Sequence, residues 1–210
     1  MSNSIIFFIL NSHTKVEKNS NFSSFIDPSV LLFENISGAV PLVLERILKE
    51  INAKLESRSP LAPLLFNYLM DYKILWRQRG YKTPLINRFV CKKIQNQFGG
   101  SFAVMLVGSA PLSSRTEALI QAALDIDLVQ AYGATETLGA CHCKKSWDLD
   151  YGNVGVPLNF VKFRLENWKE GGYQTTDKPN PRGEIVIGGP TVASGYYKMP
   201  EATANAFKVD

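Results

Sequence analysis

Histidine and cysteine are scarce in this 210-residue chain, which holds two of the first and three of the second. Cys91, Cys141 and Cys143 cannot build a disulfide framework, and a reducing compartment suits them. With His13 and His142 as the only imidazoles, no Ser-His-Asp set is credible. Cys141-His142-Cys143 would need distant partners to close round a metal, and only His13 and Cys91 remain. Small residues lining a pocket is the plainer reading of that trio. Long apolar runs are missing too. Ile5–Leu10 stops well short of the about 20 residues of a membrane-crossing helix and the about 7 of a signal-peptide core, and no basic region precedes it. What is present is 45% hydrophobic and 20% charged, enough to bury a sizeable core and unlike a disordered or fibrous chain. At roughly 150 residues per domain, the length fits one large domain or a piece of something bigger.

Acidic residues are nearly absent between Asp71 and Lys93, where Asp71 stands against Lys73, Arg77, Arg79, Lys82, Arg88, Lys92 and Lys93. The whole chain carries only +4, so this is a local patch. It suits phosphate, anionic lipid or nucleic acid, or is the solvated face of a helix pair. No nucleic-acid-binding module or glycine-aromatic RNA motif accompanies it, so no nucleic-acid partner is expected.

Residues 1–38 are rich in Ser and Asn and lack periodicity, which predicts a poorly ordered tail. From Val40 the pattern turns helical: Val43, Leu44, Ile47, Ile51 and Leu55 recur at three- and four-residue spacing behind Pro41. Ser59-Pro60 opens a second helix with a stripe of Leu61, Leu64, Leu65, Tyr68, Leu69, Tyr72, Leu75 and Trp76, read as core, and Gly80 ends it. Thr83-Pro84 opens a third, stopping at Gly99-Gly100. Phe102–Val107 then reads as a buried strand, Ser114-Arg115-Thr116-Glu117 as a capping box opening a helix to about Leu124, and Asp127–Ala131 as a second strand. Strand, helix, strand at this spacing is a parallel βαβ unit, hence an α/β fold. The last third is β-rich. Val161, Phe163 and Leu165 alternate with Lys162, Arg164 and Glu166, which predicts one buried face; Ile185–Ile187 is another strand, and a helix starts at Pro200. The ending reads as cut.

Ligands of open α/β sheets bind beyond the carboxyl ends of parallel strands. Two segments occupy that place: Gly108-Ser109-Ala110-Pro111, and Tyr132-Gly133-Ala134-Thr135-Glu136-Thr137. Small residues let backbone approach a flat ligand, and the second segment adds a ring, hydroxyls and a carboxylate. That set suits a nucleotide with Mg²⁺; an ordinary capped turn is the alternative.

Gln130-Ala131-Tyr132-Gly133-Ala134-Thr135-Glu136 resembles the Tyr-Gly-x-Thr-Glu motif of the adenylate-forming enzymes, the superfamily of acyl-CoA synthetases and luciferases. Gly108–Leu112 resembles their adenine-side turn and Arg182–Gly188 their Arg-Gly-Glu strand, and Gly195-Tyr196-Tyr197 also matches. Asn167–Tyr173, Thr176–Pro179 and Arg79–Leu85 are similar to eukaryotic long-chain fatty acid–CoA ligases in particular. The resemblance runs from about Ala39 to Asp210.

It implies part of the large N-terminal AMP-binding domain, residues 39–210, truncated at both ends. It implies a reaction in which ATP and a long-chain fatty acid give acyl-adenylate, from which CoA displaces AMP. ATP and Mg²⁺ would be the cofactors and CoA the co-substrate. Tyr132 would lie against adenine, with Gly108, Ser109, Ala110, Pro111, Gln130, Ala131, Gly133 and Ala134 around the nucleotide. Thr135 would hydrogen-bond the α-phosphate and Glu136 would hold Mg²⁺. An intracellular membrane surface is implied (endoplasmic reticulum, lipid droplet, peroxisome or outer mitochondrial membrane), with peripheral contact through 73–93. The family's Ser/Thr/Gly-rich phosphate loop has no counterpart in residues 1–38, and its Thr-Gly-Asp and mobile C-terminal domain would follow Asp210. Ser109 and Ala131 stand where the family commonly has Gly. The chain alone is therefore expected to be inactive, and a non-catalytic, binding-only remnant is the competing reading.

Overall fold

The computed structural model describes residues 31–33, 36–98 and 103–208. They form two compact units. The larger holds the described residues up to Ala131 together with Lys144–Gly155; the smaller holds Tyr132–Cys143 and the described residues from Val156 onward. Among the described residues no helix is long and apolar enough to cross a membrane.

The larger unit is built on strands in the order β1-β2-β3-β4. β1 (Leu31–Phe33) pairs antiparallel with β2 (Ile36–Ala39), and β2 pairs parallel with β3 (Val104–Val107). β3 pairs parallel with β4 (Asp127–Ala134), Val104 opposite Asp127 and Val107 opposite Gln130. The βαβ unit is thus as expected. The expected tail overlaps these first two strands, of which β2 pairs with β3 and β1 with β2; residues 1–30 lie outside the described residues.

α5 (Ser114–Leu124) crosses from β3 to β4. Its cap is Ser113, one residue earlier than expected, with Oγ accepting from Thr116 N–H at 3.1 Å. Glu117 does not complete a capping box; it is turned inward and fully buried. α1 (Pro41–Glu56) buries Val43, Leu44 and Ile51. These join Phe66, Met70, Ile94, Phe98, Met105, Val107, Ile120, Leu124 and Leu128 in the core. Each such side chain, withdrawn from water, contributes about 1.5–3 kcal/mol.

α2 (Ala62–Gln78) corrects the sequence reading. Its buried face is Phe66, Met70 and Lys73, whereas Leu61, Leu64, Leu65 and Tyr68 of the expected core stripe are between 60% and 71% exposed. α2 carries apolar residues on more than one face, so periodicity alone does not select the inward one. The buried ammonium of Lys73 decides it, meeting Asp125 Oδ1 at 2.6 Å and Cys91 Sγ at 3.2 Å. Gly80 (φ 81°) ends the helix as expected: its N–H bonds Arg77 O and Tyr81 N–H bonds Trp76 O. The third helix is not uniform. α3 (Pro84–Ile86) and α4 (Lys92–Gln97) flank a π-helical turn, Asn87–Cys91. That turn lets Asn87 Nδ2 reach Asp125 Oδ2 at 2.8 Å and Cys91 Sγ reach Ala122 O at 3.2 Å.

In the smaller unit β4 runs on through Tyr132–Ala134 to a 3₁₀ turn, Thr135–Thr137, and to β5 (Gly139–Cys143). Tyr132 and Gly133, expected in a turn, are therefore strand residues, and Cys141-His142-Cys143 lies on a strand. β5 pairs antiparallel with β6 (Val156–Pro157). β7 (Lys162–Glu166) and β8 (Glu184–Gly188) form a two-stranded antiparallel ribbon, and α6 (Pro200–Ala206) follows. The expected buried face of β7 is absent: Phe163 is 43% exposed and Ile185 42%. A two-stranded ribbon has two faces and buries one only under a further layer.

Candidate functional site

The register sets Val107, the last residue of β3, opposite Gln130, and β4 continues beyond it to Ala134. Gly108 follows Val107, and a Cβ there would stand 3.3 Å from Ala131 O, so the two backbones approach closely at this edge. Ser109 adopts φ 73°, a left-handed conformation that favours glycine, which explains why glycine suits this position. Ser109, Ala110 and Pro111 are exposed while Leu112 anchors the turn in the core.

Gln130 departs from its expected role. Its side chain is buried and donates from Nε2 to Glu117 Oε2 at 2.7 Å, and its carbonyl accepts from Lys144 N–H at 2.8 Å. The side chain therefore faces inward, toward an ion pair. Lys144 Nζ donates to Glu117 Oε1 at 2.6 Å and to Asp150 O at 2.7 Å, and Gly152 N–H donates to Glu117 Oε2 at 2.8 Å. Both charged side chains have 0% exposure. Such a pair survives burial only when surrounding hydrogen bonds satisfy it, as here.

The smaller unit positions the Tyr-Gly-x-Thr-Glu residues. A Cβ on Gly133 would come within 1.9 Å of Gly139 O, so β4 and β5 admit only glycine there. Thr137 is buried and organises the turn: its Oγ1 accepts from Ala134 N–H at 2.9 Å and lies 2.8 Å from Gly139 O, to which it donates. It is therefore unavailable as a phosphate donor. Thr135 is exposed. Tyr132 is half-buried, with the His142 ring edge-on at 5.8 Å and Phe163 behind His142 at 5.0 Å. Burial pushes the His142 imidazole below its ordinary range and the Cys141 and Cys143 thiols above theirs, so this strand presents neutral groups at pH 7.

Glu136 is half-buried at the turn. Tyr196 OH donates to its Oε1, and Ala193 N–H donates to its backbone carbonyl at 2.7 Å. The Tyr196 hydrogen bond, helped by a backbone one, holds the Glu136 carboxyl below the usual carboxylate range. Apart from Tyr196 OH and that backbone N–H, the carboxylate takes no hydrogen bond from the described residues. No group of three or more His, Cys, Asp or Glu that could hold a metal ion is found among the described residues. One hard oxygen donor of this kind fits Mg²⁺ that arrives with phosphate oxygens and water, the usual habit of that ion, and does not fit a metal held by protein alone.

His142 and Tyr196 were missed as site residues by sequence reasoning. The Gly195-Tyr196-Tyr197 match marked the second, but nothing local ties it to Glu136, sixty positions away. His142 carries no such mark: it follows three small residues, Gly139, Ala140 and Cys141, on a strand the sequence does not signal.

Comparison with known proteins is consistent across three routes. The profile of the family described as AMP-binding enzyme matches residues 35–197. Long chain acyl-CoA synthetase 8 of Arabidopsis thaliana is 33% identical over 209 residues, covering 96% of this chain and 28% of that protein. Fatty acyl-CoA synthetase B of Dictyostelium discoideum is 32% identical over 194 residues, covering 90% and 29%. Among solved structures, the A domain of carboxylic acid reductase from Segniliparus rugosus, in complex with AMP and a co-purified carboxylic acid, superposes with a TM-score of 0.58 at 27% identity, covering 83% of this chain and 23% of that one. The corresponding adenylation domain from Mycobacterium chelonae gives 0.58 at 29% identity over the same shares. The chain thus spans under a third of the length of these relatives.

Proposed function

Because this chain belongs to the AMP-binding enzyme family, we propose that it forms the nucleotide-facing part of an ATP-dependent long-chain fatty acid–CoA ligase. The observation that carries the reading is the turn at Thr135–Glu136, which follows the Tyr132 strand and presents a carboxylate that Tyr196 holds by one oxygen. In the proposed reaction a fatty acid carboxylate oxygen attacks the α-phosphorus of ATP and pyrophosphate leaves. The CoA sulfur then attacks the acyl carbonyl, losing its proton, and AMP leaves.

Each residue has a physical task. The Tyr132 ring, backed by His142, offers a rigid flat face for adenine. In the larger unit the Gly108–Pro111 turn, whose Gly108 lies close to Ala131 O, has small residues that let backbone approach a flat ligand. Thr135 donates to the α-phosphate, and Glu136 supplies one oxygen to Mg²⁺. Bound there, Mg²⁺ would neutralise charge on the phosphate oxygens, which matters most as negative charge builds in the transition state. Gln130 acts from behind through Glu117 and not by its own amide. The name of the Arabidopsis relative supports the long-chain substrate.

The partner surface is proposed to be an anionic membrane. Lys73 and Arg77 are turned inward onto Asp125 and Asp127, but Arg79, Lys82, Arg88, Lys92 and Lys93 are exposed, as are Tyr72, Tyr81, Leu85 and Phe89 of the same stretch, with Arg79 over the Trp76 ring at 5.6 Å and Arg88 over the Phe89 ring at 5.9 Å. Exposed apolar and aromatic groups interleaved with cations are the chemistry of an interfacial contact, each cation adding about 1 kcal/mol near an anionic leaflet. Equal sedimentation with neutral and anionic vesicles at low salt would remove this part of the reading.

The activity is tested by exchange. Residues 35–197 are placed in the Arabidopsis synthetase over its matching stretch, which restores the remainder of the protein. Pyrophosphate release that needs ATP, Mg²⁺ and a long-chain fatty acid is expected from the exchange, and none from the 210-residue chain alone. A folded exchange that binds ATP yet releases no pyrophosphate would favour a binding-only role.

A further inference from the structure

We propose that Tyr196 is a positioning residue for Glu136: its phenol holds one carboxylate oxygen so that the other is presented to the metal. This rests on the reading of Glu136 as the protein's Mg²⁺ ligand.

The geometry is a two-point clamp on one residue. Tyr196 OH donates to Glu136 Oε1, and Ala193 N–H, three residues before it, donates to Glu136 O at 2.7 Å. A lone exposed carboxylate rotates about three side-chain bonds, so presenting Oε2 in one direction needs a partner on Oε1. A hydroxyl donor suits that place, since it forms a strong charge-assisted bond and brings no positive charge to repel a cation.

Tyr196 is itself held. Its N–H donates to Thr203 Oγ1 at 2.9 Å, and that hydroxyl donates on to Met199 O at 2.9 Å. Its ring meets Phe207 edge-on at 5.5 Å. Gly195 makes the approach possible: it adopts φ 143°, and a Cβ on it would stand 2.5 Å from Thr203 Cγ2. α6 therefore fixes Tyr196 through Thr203, and Tyr196 fixes Glu136. Tyr196 is 36% exposed, so the ring contributes little to a core, and its placement serves the carboxylate.

The test uses the exchanged protein, in which the remainder of the synthetase is restored, with the insert carried on through Phe207 so that it includes Thr203. Its affinity for ATP at saturating Mn²⁺ is compared with its affinity for ATP in chelator; because ATP itself holds Mn²⁺, the gain in affinity on adding the metal is what reports the protein's contact with it. Removing a hydrogen-bond partner of a metal ligand commonly costs 10- to 100-fold in metal affinity. Tyr196→Phe is expected to reduce that gain about tenfold at this partly exposed site, with metal-free ATP binding unchanged. A merely structural role would move both or neither. Glu136→Gln is expected to reduce the gain further, and adding Tyr196→Phe to it should change nothing more. A normal gain in Tyr196→Phe while Glu136→Gln is impaired overturns the positioning role alone, as does a Tyr196→Phe effect that persists in the Glu136→Gln background. A normal gain in Glu136→Gln, or an exchanged protein that binds ATP no more tightly with Mn²⁺ than in chelator, overturns the metal-ligand reading and this proposal with it. Should Tyr196→Phe fail to fold, Thr203→Val loosens the same clamp from behind; a few-fold loss of the gain supports the proposal and no loss overturns it.

Discussion

Glu117 and Glu136 have the same carboxylate and opposite surroundings. In the larger unit Glu117 has no exposed surface, and both of its oxygens are taken, by Lys144 on one and by Gln130 and Gly152 on the other. In the smaller unit Glu136 is half-buried, with one oxygen on Tyr196 and no other side chain on the carboxylate among the described residues. A fully satisfied buried carboxylate has no capacity left for a ligand, and its removal strands a charge. A half-satisfied carboxylate near solvent can accept a cation and costs little to remove. The difference separates a residue that holds the fold from one that serves chemistry, although both lie near motif residues in the sequence.

The comparison breaks first at Glu117. Glu117→Ala should lose about 3–5 kcal/mol by leaving the Lys144 ammonium buried and unpaired, a large part of the about 5–15 kcal/mol of an ordinary domain. Glu136→Gln should stay within about 0.5 kcal/mol. Urea denaturation of both variants checks this, and equal losses would mean that the two carboxylates play the same part. Next in size is Gly133→Ala, which places a methyl against Gly139 O and should cost about 1–3 kcal/mol, read as a lower thermal midpoint. Ser109→Gly should act in the opposite sense. Releasing a left-handed serine is expected to stabilise by about 1 kcal/mol, and a destabilised variant would show that the Ser109 side chain makes a compensating contact.

The smallest effect is on pH dependence. Burial holds the His142 imidazole below its ordinary value near 6.5, so the unfolded chain takes the proton first. Stability is complete above about pH 6.5 and falls as pH is lowered toward the folded value. His142→Phe should flatten this segment of the stability profile. A profile unchanged by the substitution would place the acid sensitivity elsewhere.

Much of the architecture was legible because its causes are local. The apolar run before Gly108, the start of α5 and the run after Asp127 define a parallel unit through short-range rules of period and capping, and β8 and α6 lie where their residues predict. The register error at the α5 cap came from two adjacent serines, Ser113 and Ser114, either of which can cap; only the bond from Thr116 N–H distinguishes them. β5 went unread because Gly139, Ala140 and two cysteines have little strand signal of their own, and pairing to β6 supplies it.

By itself, then, the sequence determined the α/β class, the turn at Gly108–Pro111 after β3 and the Thr-Glu turn, since these depend on neighbours a few residues apart. Tertiary structure alone decided which face of α2 turns inward, that Gln130 serves Glu117, and that Tyr196 meets Glu136 across sixty residues. Periodicity states that a helix has a side to bury but not which of two apolar sides; that choice follows from what stands opposite, here Asp125 receiving Lys73. A polar side chain is likewise assigned by the partner the fold brings to it, and a partner many residues away leaves no mark on the local pattern.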